Sequence, residues 1–81
     1  MTLDHLPLGV RAQITAIDWS SLVPEEAQRL QALGIDVGAR VAIAHRGVFA
    51  GRDPIALKVD DMRVALRRHE AASLTVRLDV A

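Results

Sequence analysis

Apolar and polar residues alternate with a period of two in five separate stretches of this chain and follow a helical period in one. In "VRAQITAI", residues 10–17, Val10, Ala12, Ile14 and Ala16 stand against Arg11, Gln13 and Thr15, the pattern of a strand with one buried face. "ARVAIAHR", residues 39–46, sets Val41 and Ile43, with His45 next in phase, against Arg40, Ala42, Ala44 and Arg46. "PIALKVD" opposes Ile55, Leu57 and Val59 to Ala56, Lys58 and Asp60, and "MRVALRR" opposes Met62, Val64 and Leu66 to Arg63, Ala65 and Arg67. Only the Asp60-Asp61 region parts these two runs, so a tight antiparallel hairpin is expected, although the pair is not a strong primed-turn signature. "SLTVRLDV" adds a fifth run in which Leu74, Val76, Leu78 and Val80 alternate with Thr75, Arg77 and Asp79.

The period changes in "SSLVPEEAQRLQALG". Pro24 suits the first helical position, Glu25 and Glu26 lie where the helix dipole favours anions, and Gly34 suits a left-handed stop. Leu22, Ala27, Leu30 and Leu33 keep one face of this short helix apolar. "HEAA", residues 69–72, has room for one further helical turn. Five short strands, each apolar on one side, cannot be satisfied by a flat sheet in so small a chain. Curling the sheet into a barrel buries all five faces together and removes most exposed edges. Pro and Gly fall at the joints, at Pro7, Gly9, Gly34, Gly38, Gly47, Gly51 and Pro54, and interrupt none of the strands. The fold expected is therefore mainly β: a small barrel of about five antiparallel strands with one short α-helix.

Composition narrows the function classes. With 81 residues the chain is expected to form a single domain, residues 1–81, with one core. Ten Lys and Arg balance ten Asp and Glu, so no global positive excess gathers nucleic-acid phosphates or anionic lipid. Cysteine is absent, which removes disulfides and thiolate metal sites and fits a reducing compartment. No apolar run approaches the roughly 20 residues that span a bilayer, and Met1–Gly9 lacks the basic start and apolar centre of a secretory signal, so a cytoplasmic protein not itself inserted in a membrane is expected.

The residues that carry chemistry elsewhere are dispersed here. His5, His45 and His69 lack metal-site spacing and read as isolated surface residues. His69 beside Glu70 is the one pair that an adjoining molecule could complete into a weak metal site. Glu25-Glu26 reads as a helix-dipole pair and Asp60-Asp61 as a turn pair, since neighbours on a strand point to opposite faces. Ser20, Ser21 and Ser73 have neither a glycine-flanked elbow nor a local base, and the glycines form no phosphate-binding loop. No catalytic residue, metal site or cofactor is expected.

Two surfaces remain. Lys58, Arg63, Arg67 and Arg68 cluster across the hairpin and define an alternative reading as a nucleic-acid-binding barrel. The single-strand binders of that kind add aromatic platforms, however, and this chain has one Trp, one Phe and no Tyr. Asp60, Asp61 and Glu70 are also near enough to pair with the arginines, so no nucleic acid is expected. The second is the loop "RGVFAGRDP", which puts Val48 and Phe49 between glycines, an apolar tip that either folds back over the barrel or meets a partner.

Several short motifs in order give a resemblance. "AQRLQALGIDVGARVAI", "GRDPIALKV" and "MRVALRRHEA", preceded by "TLDHLPLGVRAQITAI", resemble the ferrous iron transport protein A (FeoA) family over nearly the whole chain. The matching positions are Arg29, Leu30, Leu33, Gly34 and Gly38, then Gly51, Asp53, Pro54 and Ile55, then Leu66, Arg67, Glu70 and Ala71. Two departures are Arg52, inserted in the family's Gly-Asp-Pro turn, and Val37-Gly38 in place of Pro-Gly. The resemblance implies an SH3-like barrel, non-enzymatic, serving as an accessory to the FeoB membrane ferrous iron transporter with its GTPase domain. The same domain occurs at the end of metal-dependent repressors, and a free-standing relative of that domain is the other alternative. The contact set expected for the transporter is the cleft between helix and loop: Arg29, Leu33, Val48, Phe49 and Arg52. The final strand could leave an edge for self-association into a homo-oligomer.

Overall fold

The computed structural model describes residues 1–46 and 54–79. Strands β1 (Arg11–Ile17), β2 (Arg40–Arg46), β3 (Ile55–Val59), β4 (Met62–Leu66) and β5 (Leu74–Leu78) form one antiparallel sheet in the order β4-β3-β2-β1-β5. Helix α1 (Pro24–Ala32) lies between β1 and β2, and α2 (Arg68–Ala72) carries the chain from β4 to β5. All five strands send side chains into one core, from Ala12 and Ile14 through Val41, Ile43, Ile55, Leu57, Val59 and Leu66 to Leu74 and Val76, as a curled sheet requires. Among the described residues no helix is long and apolar enough to cross a membrane.

Helix α1 follows its signals. Pro24 is its first residue, the Val23 N–H donates to Glu26 Oε1 at 3.3 Å, and Leu30 is its fully buried contact with the core. It ends in a Schellman motif: the Gly34 N–H donates to the Gln31 carbonyl and the Ile35 N–H to the Leu30 carbonyl, both at 3.0 Å. Gly34 has φ +83°, a left-handed value that glycine takes without strain, and this turn drops Ile35 into the core beside Leu30.

Strict alternation fails where the ladders slip. Ile14 pairs with Val76 but Ala16 with Thr75, which leaves Thr15 as an extra residue. The same happens at Ala44, between the Ile43–Leu57 and His45–Ala56 pairs. Each bulge moves the following residues to the other face. Ala16, expected inside, is exposed and Ile17 is half-buried in its stead; His45 is likewise exposed. At the strand ends Met62 and Leu78 are also exposed, because β4 and β5 are the margins of the sheet.

The first residues complete the core. A 3-10 turn, Leu3–His5, packs on α2 and β5 and buries Leu3 and Leu6 fully. Thr2 bridges to Thr75, and the Val76 N–H donates to the Met1 carbonyl at 2.8 Å, so the outer edge of β5 is occupied along part of its length by the chain's own first residues.

Candidate functional site

Arg29, in the last turn of α1, joins three elements. Its Nη2 lies 2.6 Å from both carboxylate oxygens of Glu70, and its Nη1 donates to the Ala65 carbonyl at 3.2 Å. Glu70 is 1% exposed and also accepts the Arg67 N–H at 2.8 Å, the N-terminal bond of α2. A carboxylate so withdrawn from water must be paired, and here one guanidinium nitrogen is shared between its two oxygens in a charge-assisted contact. The Ala65 carbonyl belongs to an edge strand, so the same arginine satisfies a backbone group of the β4 margin.

Beside this clamp runs an open groove lined by Arg29, Pro54, Ala65, Leu66 and Arg67. Helix α1 supplies one wall and the exit of β4 the other, and Pro54 is where the chain returns from residues 47–53. Of the expected contact residues, Arg29 lines this groove. Leu33 caps α1, half-buried against the core, and is not among the lining residues. Val48, Phe49 and Arg52 lie outside the described residues. The groove offers an exposed guanidinium at Arg67, a second one committed to Glu70, and a short apolar floor, with no nucleophile among its described lining residues.

Glu70 is also where the sequence reading needs correction. The weak metal site imagined for His69 with Glu70 requires an exposed carboxylate, but Glu70 is buried on Arg29, and His69 pairs with Glu26 of α1 instead, Nε2 to Oε2 at 2.5 Å. Desolvation would raise the Glu26 carboxyl, but the hydrogen bond from His69, helped by the Val23 N–H and the nearby charges of His69 and Arg29, holds it below its ordinary value. Among the described residues no three His, Asp or Glu side chains are grouped to hold a metal ion.

The basic cluster divides. Lys58 and Arg63 oppose each other on the solvent face of the hairpin, whereas Arg67 lines the groove and Arg68 opens α2. Lys58 instead shares a shallow depression with Arg11, Arg40, Ala42, Asp60 and Asp79. Sequence reasoning missed this grouping because it needs the register of three strands.

With this geometry in hand, comparison with known proteins is specific. No curated protein matches. Among solved structures, iron(II) transport protein A from Clostridium thermocellum superposes with a TM-score of 0.83 at 26% identity, over 98% of this chain and 46% of that one, so the present chain spans just under half of that relative. FeoA from Chlorobium tepidum superposes at 0.82 with 32% identity, over 99% of this chain and 71% of that one. Stenotrophomonas maltophilia FeoA, solved complexed with zinc and described as an SH3 domain protein, superposes at 0.76 with 33% identity, over 95% of this chain and 89% of that one. A manganese-dependent transcriptional repressor, 20% identical, shares the fold alone. The SH3-like barrel implied by the resemblance is thus the observed arrangement, and the FeoA domain model matches residues 1–78. The family model and the two relatives above 30% identity agree, and the chain belongs to the FeoA family.

Proposed function

We propose that this chain is a single-domain, non-enzymatic accessory of bacterial ferrous iron uptake that works on the cytoplasmic side and docks on the FeoB-type membrane transporter with its GTPase domain. The observation that carries this reading is the family match over residues 1–78. Its relatives support it: one is an iron(II) transport protein A, and the S. maltophilia protein has been put forward as a ferrous iron transport activating factor. The docking element is the groove beside the Arg29–Glu70 clamp together with the apolar tip at Val48 and Phe49. Apolar side chains supply most of the affinity, and Arg29 and Arg67 on the rim, with Arg52 from the sequence's contact set, set the orientation. Leu33 shapes the groove by holding the end of α1.

A pull-down of the transporter by the tagged chain under reducing conditions tests the reading, with recovery of the membrane GTPase expected. Phe49→Ala is expected to reduce that recovery severalfold with the circular dichroism spectrum unchanged, and Leu33→Ala to reduce it as well. Full recovery with both variants folded would remove the groove and tip from the contact set.

A further inference from the structure

The outer face of the sheet carries a second feature, built from residues that do not line the groove. Arg11 is opposite Ala42, Ala42 is opposite Lys58, and Lys58 is opposite Arg63, so these residues form one row across β1 to β4. The row faces solvent, because its neighbours along the strands, Ala12, Val41, Leu57, Val59 and Val64, turn towards the core. The short side chain of Ala42 leaves a trough between Arg11 and Lys58. None of Arg11, Lys58 and Arg63 makes an ion pair or a side-chain hydrogen bond among the described residues. Lys58 directly opposite Arg63 is a like-charge cross-strand pair, an arrangement that disfavours the hairpin unless an anion lies over it.

We propose that this row is a docking surface for an extended acidic segment of a partner protein. Three strand spacings of about 4.8 Å spread the cations over roughly 14 Å, too far for one small anion to engage them all. An extended peptide repeats its side chains on one face every ~6.8 Å, so two or three carboxylates reach Arg11, Lys58 and Arg63 together. The flanking charges choose between polyanions. Asp60, Asp61 and Asp79 border the same depression, and Arg40 is engaged with Asp79 at 3.9 Å. A continuous phosphate backbone is repelled there, whereas a peptide can set neutral residues against the carboxylates. Trp19, the aromatic residue among those described, is packed against the core and offers no stacking platform to a base. The row shares no residue with the groove at α1, and its test does not depend on transporter docking.

The experiment is an amide chemical-shift titration of the full chain with a synthetic peptide of alternating glutamate and glycine at low salt, and with its lysine counterpart. The glutamate peptide is expected to give saturable shifts at Arg11, Ala42, Lys58 and Arg63 that fade as salt is added, and the lysine peptide none there. The triple variant Arg11→Gln, Lys58→Gln, Arg63→Gln is expected to bind at least about tenfold more weakly with an unchanged fold. Lys58→Gln alone is expected to raise the thermal midpoint by relieving the opposed pair. The proposal is overturned by shifts confined to other residues, by a triple variant that binds as the parent does, by a lowered midpoint for Lys58→Gln, or by a polyuridylate strand that binds the row more tightly than the peptide.

Discussion

Glu70 shows how one side chain can hold several elements. It is buried, and its oxygens are satisfied by Arg29 and by the Arg67 amide. Replacing Arg29 by Ala leaves that carboxylate with the amide alone, the circumstance in which breaking a buried pair is costly. The Arg29 side chain is 43% exposed, so water takes over part of its role, and a loss of about 2–3 kcal/mol in urea unfolding is expected. Glu70→Gln combined with Arg29→Ala is expected to be less destabilised than the two single losses summed, and strict additivity would mean that the pair is uncoupled. Neither residue betrays the other in the chain: they are 41 positions apart, on two separate helices, and only the family pattern marks both. At the exposed Glu26–His69 contact the lowered carboxyl sets the sign of the pH effect. A depressed folded value adds stability fully present above the ordinary 4.5 and lost as pH falls through the folded value. The thermal midpoint of the parent should therefore exceed that of Glu26→Gln at pH 5–6, and the gap should close in stronger acid.

At the scale of elements, β3 was the most legible strand, because Ile55, Leu57 and Val59 alternate without a slip and all three are buried. Strands β1 and β2 were legible up to Ile14 and Ile43. Beyond these, Thr15 and Ala44 are extra residues whose presence depends on what the partner strand does, and no local pattern announces them. The groove was partly legible: Arg29 was expected in a cleft between helix and loop and lies in a groove between α1 and the end of β4, while the buried carboxylate beneath it and the cation row on the outer face of the sheet require tertiary register. The hairpin turn was placed correctly despite its poor signature, and the structure shows the cost. Asp60 takes φ +52°, left-handed for a residue with a Cβ, although Asp tolerates this better than most. Asp60→Gly is expected to stabilise the hairpin by roughly 0.5–1 kcal/mol, read as a higher urea midpoint at constant slope. No gain would mean that the Asp60 carboxylate compensates for its backbone.

The molecule as a whole is knit by its most distant parts. Strand β1 has β2 on one side and β5 on the other, and the residues before β1 turn back to seal Leu3 and Leu6 against α2 and β5. Thr15 and Thr75, joined by a hydrogen bond at 3.3 Å, are 60 positions apart. A ribosome adding about 5–20 residues each second needs on the order of 3–12 s to cover that interval. Throughout it, the meander of β1 to β4 has begun to emerge while one side of its first strand has no neighbour and two leucines have nowhere to go. Crowded polysomes thus bring unfinished copies together at their stickiest, and the arrival of β5 is what ends the hazard.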